Sequence, residues 1–194
     1  YVMKYLFIIA MEKEASDIIE HYKLNKIDDN YYKRDNLELV ITDVSRNGVT
    51  SALVNLNCKY NINYKDYIAI NIGMVGSNNL KVGEVVMATK SFGYHFTLTP
   101  FWDPLSPALN SPVTLEKVDG IKNVTCYTSD GFVLKTDIKE DAIFDMELNA
   151  IVNFPFKKYY SIKVVSDSLN NNEYNKFNYK KALEEIIKVI DNIL

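Results

Sequence analysis

Seven apolar runs of strand length recur along the chain, and helical patterns separate them. The runs are KYLFIIA (4–10), LELVITDV (37–44), DYIAINIG (66–73), EVVMATKSF (84–92), NVTCYTS (123–129), DAIFDM (141–146) and YYSIKVV (159–165). They are rich in β-branched and aromatic residues, which pack well on a pleated surface. Several are continuously apolar rather than alternating, which predicts strands covered on both faces. The covers are also legible. Ala15, Ile18, Ile19 and Tyr22 recur at helical spacing. Val49, Ala52, Leu53, Leu56 and Tyr60 form a second stripe, and Leu183, Ile186, Ile187, Ile190 and Leu194 a third. Strands alternating with helices predict an α/β fold, a three-layer domain whose central mixed, largely parallel twisted sheet is flanked by helices. Arg34-Asp35-Asn36 reads as a hairpin turn inside 31–44, and the length of 194 residues predicts a single domain, 1–194.

Composition narrows the function. Hydrophobic residues make up 47% and charged residues 24%, which is ordinary for a globular chain. The net charge is -3 and no stretch concentrates lysine and arginine, so nucleic acid is not an expected partner. Two cysteines, Cys58 and Cys126, show no metal-type spacing and are expected to be reduced thiols in or near the core of a cytoplasmic protein. YLFIIAM runs straight into EKE without a cleavage site, so it reads as a first strand rather than a signal peptide. Tyr1 stands where a methionine would, and Met3 is a candidate start. No run is long enough to predict a membrane span. No cofactor or metal is expected, since no Walker loop, GxGxxG, HExxH or GxSxG is present and His21 and His95 lie far apart.

In open α/β sheets ligands bind beyond the carboxyl ends of the strands. The successive strands deliver Met11, Glu12 and Glu14, then Ser45-Arg46-Asn47-Gly48, then Gly73-Met74-Val75-Gly76. Later strands deliver Ser129-Asp130-Gly131-Phe132, Asp145-Met146-Glu147 and Ser166-Asp167. Carboxylates, glycines and an aromatic thus converge as a nucleoside-sized pocket requires. For Ser166-Asp167 the residues alone leave two readings open, a helix cap and a catalytic acid. The segment 95–121 holds four of the five prolines and reads as a long irregular excursion.

These motifs resemble the nucleoside phosphorylase/nucleosidase superfamily, most closely its 5′-methylthioadenosine/S-adenosylhomocysteine nucleosidases. The resemblance rests on AMEKE (10–14), NIGMVGSNNLKVGEVV (71–86), TSDGFV (128–133), FDMELNAI (144–151) and VVSDSL (164–169), in order across essentially the whole chain. It implies a phosphorylase/hydrolase-like fold and a purine nucleoside substrate. It implies that Glu14 activates the attacking water and that Asp167, positioned by Ser166, protonates the purine N7. Glu147, beside Met146, would bind the ribose hydroxyls, Phe132 would stack on the base, and the Val133 backbone would read its edge. Phe177 and Met11 would line the pocket for the 5′ group. A homodimer is implied, with 96–102 as the loop that closes a neighbour's pocket.

The chemistry agrees with these roles. Cleaving an N-glycosidic bond leaves negative charge on the base and positive charge on the sugar. An acid at the base and a carboxylate at the sugar each lower that barrier. Asn71 and Met74 stand where phosphorylases of the superfamily carry an arginine and a serine for phosphate. A thioether offers no donor, so hydrolysis is expected. Departures from the nucleosidase pattern are Met74, Asp145 for a glutamate, Asn170 for an aspartate, and a shortened middle region. They leave room for another 5′ group, such as a futalosine-like one.

Overall fold

The computed structural model describes residues 2–94 and 112–194. His95 and the aromatic segment 96–102 therefore lie outside the described residues. Among the described residues the strands are β1 (Lys4–Ile9), β2 (Asn25–Asp28), β3 (Tyr31–Arg34), β4 (Leu37–Ile41) and β5 (Tyr67–Ser77). They continue with β6 (Val85–Gly93), β7 (Val113–Thr114), β8 (Asn123–Thr128), β9 (Ala142–Asp145) and β10 (Lys158–Asp167). The helices are α1 (Glu12–His21), α2 (Ser45–Tyr60), α3 (Leu148–Ile151), α4 (Asn171–Lys176) and α5 (Leu183–Ile193). All seven expected runs contain strands, Asp35-Asn36 joins β3 to β4, and the three stripes map onto α1, α2 and α5, with Tyr22 and Leu194 at the helix C-caps.

The sheet differs from the expected layer in two ways. Parallel and antiparallel pairings are equally frequent among the described strands, rather than largely parallel. The sheet also closes on itself. β5 is long enough for one edge to pair first with β1 and then, at Gly76 and Ser77, with β9. Its other edge pairs in parallel with β10, which pairs antiparallel with β6. β6, β8 and β9 then complete a ring back to β5, while β1, β4, β3 and β2 extend outward from it. Such closure removes free strand edges.

Burial follows from this shape. Ala15 and Ile18 of α1 and Ile186, Val189 and Ile190 of α5 pack with Phe7, Ile70 and Ile162. Val49, Leu53 and Leu56 of α2 pack on Leu6, Ile8 and Ala69 on the other side of β1 and β5. The five ring strands share a third core that contains Val75, Val86, Val124, Ile143 and Val165. Each fully buried side chain of this kind contributes about 1.5–3 kcal/mol over an exposed one. Cys126 is buried but Cys58 is exposed, so only one of the two thiols is in the core: Cys58 falls on the outer face of α2.

Candidate active site

A cavity of about 770 Å³, counting its open mouth, lies where β5, β10 and the β9–α3 junction meet the 129–133 segment and the start of α1. Met11, Glu14, Phe132, Val133, Met146, Glu147, Ser166 and Asp167 all line it. Phe177 does not; it packs on the α1–α5 core and lines a separate surface groove. Tyr174, one helical turn earlier, lines the cavity instead.

Glu14 sits in the first turn of α1 yet is 2% exposed. Its Oε1 accepts the Met74 N–H at 2.9 Å, and its Oε2 accepts the Met11 N–H at 3.3 Å. The second bond closes the start of α1. The first carries the carboxylate across to β5. Burial raises the Glu14 pKa, against the opposing pull of the Met74 amide and of Lys163. A carboxylate of this kind is a stronger base than an exposed glutamate.

Asp167 is fully buried at the end of β10, where a register shift between Val165 and Asp167 re-aims the strand. Its Oδ1 accepts the Asn170 N–H at 3.1 Å, which caps the turn into α4. Its Oδ2 lies 2.7 Å from Ser166 Oγ, and that hydroxyl also reaches the Val75 carbonyl at 3.2 Å. Oδ1 is thus committed to the cap, while Oδ2 faces the Ser166 hydroxyl. The hydroxyl has one hydrogen for two acceptors. Ser166 can donate to an Asp167 carboxylate, or donate to Val75 and accept the proton of an Asp167 acid. Gly76 makes the room, because a Cβ there would stand 2.9 Å from Asp167 Oδ1.

Glu147 follows β9 and is reached by the Ser45 N–H at 3.0 Å and by its neighbour Met146 N–H at 3.3 Å. Burial, reinforced by the Asp145 charge, pushes its pKa up to about 7. Asp145 itself is pinned by the Thr128 hydroxyl at 2.6 Å, the Leu148 N–H at 2.9 Å and Lys163 Nζ at 3.0 Å. Lys163 is 1% exposed; burial alone would lower its pKa, and Asp145 and Glu147 hold it above the ordinary value. Three carboxyls, Glu14, Asp145 and Glu147, and the Lys163 ammonium thus line one cavity. Phe132 and Tyr174, which also line the cavity, meet edge to face with ring centroids 5.6 Å apart. Among the described residues no cluster of three His, Cys, Asp or Glu is arranged to hold a metal ion.

No protein-family model and no curated protein matches the sequence. Solved structures do. A methylthioadenosine/S-adenosylhomocysteine nucleosidase from Chlamydia trachomatis superposes with a TM-score of 0.79, at 16% identity over 99% of this chain and 97% of that one. The 5′-methylthioadenosine/S-adenosylhomocysteine nucleosidase of Neisseria meningitidis, in complex with methylthio-immucillin-A, gives 0.78 at 18% identity over 99% and 98%. The futalosine hydrolase of Helicobacter pylori gives 0.78 at 16% identity over 99% of each chain. The fold is that of the nucleosidases.

Within this nucleosidase fold, the sequence reading missed Lys163 and placed Asp145 and Ser45 at strand ends without giving either a role. Lys163 stands inside the run YYSIKVV, where a lone lysine in a strand buried on both faces was itself the signal. Asp145 was expected beside Met146 and Glu147, but its bond to Lys163 at 3.0 Å was not. The Ser45 N–H had no sequence signal, because a backbone donor is placed by conformation alone.

Proposed function

We propose that this chain is a nucleosidase that hydrolyses the N-glycosidic bond of a purine nucleoside of the 5′-methylthioadenosine/S-adenosylhomocysteine type. The observation that carries the reading is the pairing of Glu14 and Asp167, two buried carboxyl groups on different elements that line one cavity. A cavity that only bound a nucleoside would need neither group buried.

In this mechanism the purine lies against Phe132 with its edge along the Val133 backbone, and the sugar lies beside Glu147. Asp167 delivers its proton to N7 as the glycosidic electron pair moves onto the base. Ser166 turns from accepting the Asp167 hydrogen to donating one, so the spent carboxylate stays hydrogen-bonded. A water attacks C1′ from the Glu14 side, and Glu14 takes the proton released as the new C–O bond forms. Glu147 holds the sugar hydroxyls, and its charge favours the oxocarbenium-like centre. Met11 and Tyr174 face the 5′ group, a place that the resemblance gave to Phe177.

Charge supports hydrolysis over phosphorolysis. Glu14, Asp145 and Glu147 line the sugar end against the single ammonium of Lys163, so a phosphate dianion there meets net repulsion. Asn71 is committed elsewhere, donating to the Ile8 carbonyl at 3.0 Å and accepting from Ser161 at 2.9 Å. The same reading, on the resemblance, has the enzyme act without a cofactor as a cytoplasmic homodimer. No described helix is long and apolar enough to cross a membrane. The test is incubation with methylthioadenosine, adenosylhomocysteine, a futalosine-type nucleoside, adenosine and inosine, with and without phosphate. Free base and a reducing sugar support the proposal. A sugar 1-phosphate product, or binding without cleavage across the panel, refutes it.

A further inference from the structure

Residues 129–141 (SDGFVLKTDIKED) form neither helix nor strand, yet they supply Gly131, Phe132 and Val133 to the cavity. Phe132 is 40% exposed, so packing alone does not seat it. Both ends of the segment are fixed to the ring. At one end the Ser129 N–H donates to the Asp145 carbonyl at 2.9 Å. At the other, the Asn78 side chain donates to the carbonyls of Ile138 and Glu140 at 2.9 and 2.8 Å, and Tyr94 donates to Thr136 at 2.9 Å. Between these anchors Asp130 meets Arg46 in a two-point fork, Nε to Oδ1 at 2.8 Å and Nη2 to Oδ2 at 2.6 Å. Paired forks of this kind fix geometry as well as charge.

Arg46 comes from a constrained turn. Asp43 and Ser45 both have positive φ, 68° and 89°, a region that non-glycine residues enter only when their surroundings enforce it. Gly48 lets the first turn of α2 sit on that backbone, since a Cβ there would come within 3.0 Å of the Thr42 carbonyl oxygen. The turn aims consecutive residues at different partners: the Ser45 N–H at Glu147 and the Arg46 guanidinium at Asp130.

We propose that Arg46 and Asp130 are positioning residues, whose fork seats Phe132 at the cavity mouth and ties the base-side loop to the turn that holds Glu147. The role of Phe132 rests on the nucleosidase reading; the fork's hold on the loop does not. Asp130 is 61% exposed, and exposed pairs contribute at most about 1 kcal/mol, so the fork tunes binding rather than permitting it.

The test compares wild type with Asp130→Asn, Arg46→Lys and the swap Arg46→Asp/Asp130→Arg, all in the full chain. Hydrogen–deuterium exchange over 131–135, adenine affinity and methylthioadenosine kinetics are read in parallel. Asp130→Asn should speed exchange in 131–135, weaken adenine about three- to fivefold and raise KM by a similar factor, with kcat within about twofold. Arg46→Lys should lie between it and wild type, and the swap should recover most of the loss. Unchanged exchange and adenine affinity in Asp130→Asn would overturn the proposal. So would faster exchange throughout β5 and α1, which marks general destabilisation. If the wild type cleaves no nucleoside, the nucleosidase reading fails while exchange in 131–135 still decides the fork.

Discussion

Glu38 and Glu14 are almost equally buried, at 1% and 2% exposed, and they are held in opposite ways. Glu38 on β4 is saturated: Tyr31 and Tyr67 donate hydroxyls at 2.6 and 3.0 Å, and Lys33 Nζ lies 2.9 Å away. It lines no part of the cavity. Glu14 and Glu147 are held by two backbone amides each, and both have raised pKa values because burial is only partly offset. A carboxylate surrounded by side-chain donors staples its strands together. One held by sparse amides at a cavity wall keeps lone pairs for a ligand, and its protonation responds to what arrives.

Three substitutions and one pH profile test this contrast. The largest effect is expected from Asp167→Asn, which removes the proposed proton donor while keeping shape. Turnover of methylthioadenosine should fall by about 10²–10⁴-fold with adenine affinity within a few-fold, measured by steady-state kinetics and calorimetry. Glu38→Ala should act on stability instead, costing about 2–3 kcal/mol in denaturant unfolding because its partner Lys33 is half exposed, with kcat unchanged. Loss of turnover with intact stability in that variant would erase the distinction between the two regions.

Glu147→Gln sharpens the contrast through pH. A carboxyl whose folded pKa is raised to about 7 contributes stability below its unfolded value, and loses it as pH rises through 7. The variant should therefore be more stable than wild type near pH 8, on the order of 2 kcal/mol, and the difference should vanish in acid. The smallest signal is the acid limb of kcat/KM. Because Glu14, as the proposed base, has to be ionised and burial raises its pKa, that limb should lie above the ordinary glutamate range. An acid limb at the ordinary glutamate position would remove Glu14 from the role of base.

The strands and helix stripes were legible because burial on one or both faces imprints a local period. Ring closure was not legible, because it depends on β5 outrunning β1 and on the β10–β6 pairing, contacts between residues some 75 apart in Ile162 and Met87. Glu14, Glu147 and Asp167 were legible as polar residues at strand ends, where an unexplained carboxylate stands out. Tyr174 was not, because spacing from Asp167 pointed to Phe177 and only the path of α4 decides which aromatic turns inward. Lys163 was written plainly in the sequence, but a charge inside an apolar run gains meaning only when its partner Asp145 is known.

The central claim is that Glu14 and Asp167 act together on a glycosidic bond. The most direct test is proton NMR of methylthioadenosine incubated with the wild-type chain in phosphate buffer, alongside Glu14→Gln and Asp167→Asn. The account predicts free adenine and a reducing methylthioribose from wild type, and neither product at a comparable rate from either variant. A sugar 1-phosphate, or wild-type turnover that survives both substitutions, would contradict it.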